Sequence, residues 1–116
     1  MSFEELRVYQ AAQELRKEVD KLRVVVLPRF SNLFEHIDDA VDSVANNIAE
    51  GSASKYPAKR ANYYDIAAGS AREVRSGIRS IHRRGGFGNA NVFRPIVLTL
   101  AIGKMLRVMS DRLRES

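Results

Sequence analysis

Arg72, Arg75, Arg79 and Arg83 recur at intervals of three or four residues. On a helix that spacing gathers them into a sector of roughly 80°. A guanidinium stays charged and presents a planar fork of donors, so a row of them suits the phosphates of a nucleic-acid backbone. Arg84 extends the row. Lys59 and Arg60 add charge near the amino end of the same segment, where peptide dipoles also favour an anion. No aromatic residue lies among the four arginines, so the row predicts contact with RNA or DNA backbones and no base reading. The competing reading is a face that is solvated or paired with acids of the first half. His82, beside the row, is expected at the surface.

The other reactive side chains predict no reaction. A di-iron bundle needs inward Glu-x-x-His pairs, but Leu33 and Arg79 stand three residues before His36 and His82. Glu35, Asp38, Asp39 and Asp42 offer oxygen ligands for a divalent cation, yet they fall mainly on a polar helix face and are expected to be solvated. Gly85-Gly86-Phe87-Gly88 follows no strand and lacks the lysine and hydroxyl of a phosphate-binding loop, so it reads as a flexible turn. With no cysteine, disulfides and thiolate chemistry are excluded. The expectation is a non-enzymatic protein with no metal and no cofactor.

Four amphipathic helices must position these groups. The first opens at a capping box, Ser2 with Glu5, and repeats Ala12, Leu15, Val19, Leu22 and Val26 before Pro28. Ser31 or Asn32 can cap a second helix, whose Leu33, Ile37, Val41, Val44 and Ile48 share a face until Gly51 supplies a left-handed stop. Pro57 opens the third, with Ala67, Ser70 or Ala71, Val74, Ile78 and Ile81 as its core line. Asn89 or Asn91 can restart the chain after the glycines. The spans predicted are about 3–27, 32–50, 57–84 and 92–114, closing as one all-α, antiparallel up-down-up-down four-helix bundle over residues 1–116.

Charge is split along the chain. Residues 1–50 carry 6 Lys/Arg against 10 Asp/Glu, and residues 51–116 carry 13 against 4. Such a split can attract a polyanion to one face or join neighbouring copies, and neither use is favoured. The acidic amino end has no signal-peptide order, and the longest apolar run, Ile96 to Ile102, is far below the roughly 20 residues that span a bilayer. A cytoplasmic protein without a membrane partner is expected.

The fourth helix is apolar nearly all round at its start. Ile96, Val97, Leu98 and Ile102 are therefore expected to meet another subunit. On the second helix Ser43, Asn47 and Glu50 fall along one flank, and Ser70, Glu73 and Gly77 form a comparable flank on the third. Facing each other, they predict a hydrogen-bonded seam that fixes helix register. Gly69 and Gly77 suggest close helix approach.

The run from Ser43 to Gly51 resembles the S-I/V-x-x-N-I-A-E-G signature of the four-helix bundle family associated with intervening sequences of bacterial 23S ribosomal RNA, the S23 family. Leu6-Arg7-Val8-Tyr9-Gln10 resembles its L-x-V-Y/W-Q opening, and Ala67 to Glu73 its A-x-G-S-x-x-E segment, with 17 residues between Gly51 and Gly69. The likeness covers about residues 3–84. It implies antiparallel bundles assembled into rings of five, a homopentamer here. A related bundle, the accessory variability determinant of diversity-generating retroelements, has basic RNA-facing surfaces. Tyr56 departs from the family, whose members often have a capping serine there. Two functions follow: an oligomeric module that binds nucleic-acid backbones, or a scaffold whose partner is a protein.

Overall fold

The computed structural model describes residues 1–115. Four helices, α1 (Phe3–Val25), α2 (Ser31–Ala53), α3 (Pro57–Arg83) and α4 (Phe93–Glu115), pack into a rod of 46 × 21 × 18 Å. A 3-10 turn at Pro28–Phe30 joins α1 to α2, and no strand occurs among the described residues. No helix among them is long and apolar enough to cross a membrane.

The capping box opens α1: Ser2 Oγ accepts from the Glu5 N–H at 3.2 Å, and Glu5 Oε1 accepts from the Ser2 N–H at 3.1 Å. The helix stops two residues before the expected end, because Pro28 disfavours helical backbone at Leu27, which is extended with ψ 143°. Neither expected cap opens α2. Phe30 holds that position with its ring buried, and the Ser31 hydroxyl donates back to the Pro28 carbonyl. At α4 the expectation holds, since Asn91 Oδ1 accepts from the Phe93 N–H at 2.8 Å.

Gly51 does not stop α2, which runs on to Ala53. A Cβ there would lie 2.6 Å from a ring carbon of Tyr64, so the missing side chain lets α2 approach α3. The left-handed glycines are Gly85 and Gly88, with φ of 75° and 59°. They shape a turn that drives Phe87 into the core, edge-on to Phe34 at 6.2 Å between centroids. That turn is pinned, not loose. The Leu27 N–H donates to the Gly86 carbonyl at 2.8 Å, and the Gly86 N–H to the Ile81 carbonyl at 2.9 Å.

One apolar core draws on all four helices, with Val8, Leu15 and Val19 from α1, Phe34, Val44 and Ile48 from α2, Ala71, Val74 and Ile78 from α3, and Leu98, Ile102 and Leu106 from α4. Two of the residues assigned to a subunit contact are thus inside the protomer. Leu98 and Ile102 are buried and Ile96 is half-buried, whereas Val97 is exposed with Phe93, Leu100 and Val108. The apolar spacing of this segment fits either face inward, and packing against α3 selects Leu98 and Ile102. Cross-helix pairs run in opposite numerical order. Arg16 meets Asp42 while Arg23 meets Glu35, Ser43 meets Ser70 while Ile37 packs against Gly77, and Glu4 meets Arg112 while Glu14 meets Arg94.

Candidate nucleic-acid interface

The third helix presents Arg72, Arg79 and Arg83 fully exposed and Arg75 half-buried. Among the described residues no carboxylate pairs with any of the four, whereas ion pairs hold Arg16, Arg23, Arg60, Arg94, Arg112 and Arg114. Two neighbours act on Arg75. Burial, then the charges of Arg79 and Arg72, push its guanidinium below the ordinary arginine pKa.

The acids of the first half are engaged elsewhere. Asp38 Oδ1 accepts from Arg16 and, at 2.7 Å, pairs with Arg23, while Arg16 also reaches Asp20 at 2.7 Å and Asp42 at 3.0 Å. Burial works against the Asp38 charge, but the two guanidiniums outweigh it and hold the carboxyl below its ordinary value. Arg23 also reaches Glu35 at 3.2 Å. Pairing of the α3 arginines with these acids is therefore not what forms. No group of three His, Cys, Asp or Glu able to hold a metal occurs among the described residues.

The remaining basic residues do not join the row. Arg60 pairs with Glu5 at 2.9 Å, Arg84 stacks on Phe30 at 4.8 Å, and Lys59 lies over the Tyr56 ring at 5.7 Å. Arg60 is thus a partner of a buried acid and not an outward phosphate ligand. His82 is exposed, as its place on α3 predicts.

The polar seam forms with fewer members than expected. Ser43 Oγ lies 2.7 Å from Ser70 Oγ, and Asn47 Nδ2 donates to the Ser43 carbonyl at 2.8 Å and to Ser43 Oγ at 3.1 Å. Glu50 and Glu73 stay outside it and exposed, since hydroxyls and one amide cannot neutralise a buried carboxylate. Gly77 is a close approach, with a Cβ there 2.5 Å from Ile37 Cγ1, but a Cβ at Gly69 would meet nothing within 4 Å.

The largest omission from the sequence reading is Glu5, buried where α1, α2 and α3 converge. The Tyr64 hydroxyl donates to its Oε2 at 2.9 Å, Arg60 pairs with the same oxygen, and Ser52 Oγ lies 3.5 Å from the tyrosine oxygen. Burial opposes the charge, yet hydrogen bonds from Ser52, Ser2 and Tyr64 bring its pKa from 4.5 to about 2. The available signal was Tyr64 itself, one step before Ala67 on the core line, with Arg60 four residues earlier.

Four helices round one core, with a charge-compensated flank on α1 and α2 and a row of arginines on α3 without carboxylate partners among the described residues, define a small all-helical protein. A family described as 23S rRNA-intervening sequence protein matches residues 4–107, and the chain belongs to it. Comparison with curated proteins finds no match.

Proposed function

We propose that this protein is a non-enzymatic, homo-oligomeric bundle of antiparallel, up-down-up-down helices that binds RNA or DNA backbones through the α3 arginine face. The observation that carries this reading is the contrast in pairing: among the described residues the α3 row has no carboxylate partner, although the chain holds 14 Asp and Glu. An exposed, self-repelling row of guanidiniums is stabilised by phosphates arriving from outside. The opposite numerical order of the cross-helix pairs supports the antiparallel topology.

The exposed apolar stripe of Phe93, Val97, Leu100 and Val108 on α4 supports self-association, and the family resemblance makes a ring of five the expected size. The scaffold reading draws on the same stripe, with a different protein covering it. A salt series of fluorescence anisotropy titrations separates the two. Nucleic-acid binding should weaken steeply with salt and vanish when Arg79→Glu and Arg83→Glu are combined. No binding at low salt overturns the backbone reading in favour of the scaffold. Light scattering should give a species near five times 13.1 kDa, reduced by Val97→Asp with Leu100→Asp. A stable monomer contradicts the oligomer.

A further inference from the structure

A groove of about 400 Å³ runs between α2 and α3 beside the arginine row. Its floor is apolar, because Gly77 has no side chain and Ile37 packs into the space a Cβ would fill. His36 lines it from α2, and Arg72, Ser76 and Ser80 line it from α3, so Arg72 belongs both to the row and to the groove. Further along the same two helices a second cleft, of about 260 Å³, is lined by Glu50, Lys55, Tyr56, Lys59 and Tyr63. Tyr56 is 64 % exposed there, under the Lys59 ammonium. From His36 to Ala53, at opposite ends, α2 advances about 25 Å.

Both clefts thus combine a flat ring, a cation and a carboxylate. Duplex nucleic acid cannot use such a place, because its bases are stacked inside the helix. An unpaired strand can, since its bases are free to stack on His, Tyr or guanidinium planes while the phosphates follow positive charge. The exposed carboxylates, Glu73 in the first cleft and Glu50 in the second, are repelled by phosphate and can accept hydrogen bonds from base amino groups. Such carboxylates favour a base over a phosphate inside a cleft.

We propose that the two α2–α3 clefts receive unpaired bases of single-stranded nucleic acid, with His36 and Tyr56 as stacking surfaces, the arginine row holding the backbone beside the first and Lys55 and Lys59 beside the second. This rests on the backbone-binding reading and narrows its ligand to single strands. It adds sequence-tolerant stacking to a backbone contact that reads no base, because the stacking residues come from α2 and the α2–α3 link and not from the arginine row itself.

Three probes of equal phosphate number test it by anisotropy at low salt: a single-stranded deoxycytidine oligonucleotide, an abasic strand and a duplex. The deoxycytidine strand should bind roughly tenfold or more tightly than the abasic strand, as expected for stacking of one or more bases. His36→Ala with Tyr56→Ala should close that gap while leaving the salt slope unchanged. Both side chains are exposed, so circular dichroism and thermal unfolding should match wild type. If the abasic strand or duplex binds as tightly as the deoxycytidine strand, base docking is wrong and backbone binding stands. A gap that survives the double substitution places the bases elsewhere and overturns the proposal. If no probe binds, the backbone reading fails and this inference falls with it.

Discussion

Arginine serves α1 and α3 in opposite circumstances. Arg16 and Arg23 on α1 are wrapped by Asp20, Glu35, Asp38 and Asp42, whereas Arg72, Arg75, Arg79 and Arg83 share one side of α3, where the charges of Arg79 and Arg72 act on Arg75. On α1 the guanidiniums join two helices and help set their register. On α3 they pair with no carboxylate among the described residues, and the like charges around Arg75 are a cost that the fold does not offset there. The difference teaches that the charge asymmetry of the sequence overstates the acidity of the first half. Asp20, Glu35, Asp38 and Asp42 are occupied by arginines of α1, and Glu4, Glu5 and Glu14 by arginines of the second half, so that the four arginines of the α3 row are left without a carboxylate among the described residues.

The comparison breaks most severely at Glu5, the buried acid on the compensated side. Glu5→Ala should lower stability by about 3 kcal/mol, because it leaves Arg60 without its carboxylate and removes the capping box. Thermal unfolding reads this directly, and an unchanged midpoint contradicts the role given to Glu5. The same group has a pH signature. Its folded pKa of about 2 lies below the ordinary 4.5, so its stabilisation is complete above about pH 4.5 and is lost as pH falls toward 2. Glu5→Gln should flatten stability in that window.

Asp38→Ala removes the carboxylate shared by Arg16 and Arg23 and should cost about 1–2 kcal/mol, less than Glu5 because all three groups keep contact with water. Added salt should shrink the difference. Gly69→Ala should act in the other direction, raising stability by up to about 1 kcal/mol, since the site is helical and a Cβ meets nothing there. A loss would mean that the position is covered in an oligomer. The smallest effect on stability belongs to Arg79→Glu with Arg83→Glu, expected within about 0.5 kcal/mol of wild type in denaturant unfolding while nucleic-acid binding disappears. A large loss of stability there would show that the row is held by the protein after all.

Elements were more legible than contacts. The apolar spacing, the Ser2–Glu5 box, Pro28 and Pro57 locate all four helices, because these signals act within a turn or two of chain. Glu5 and Tyr64, 59 positions apart, meet only through the fold, and nothing local encodes it. Gly51 shows a second kind of blindness, since a glycine that ends a helix and one that admits a neighbouring ring read alike. In α4, Leu98 and Val97 are equivalent in composition, and α3 decides which of them is inside. The arginine row was legible because repetition at helical spacing needs no tertiary information. His36 and Tyr56 were not, since their relation to Arg72 and Lys59 depends on how α2 lies against α3.

The hydrogen bond from Leu27 to Gly86 ties the link after α1 to the link after α3, and Arg29 adds a second tie by donating to the Arg84 carbonyl at 3.2 Å. The two halves of the chain, α1 with α2 and α3 with α4, are thereby fastened through their links as well as along their sides. Loops usually exchange their amide hydrogens early, through local fraying. Here the Leu27 and Gly86 amides should exchange with the core, so that the protein unfolds as one cooperative unit and not half by half.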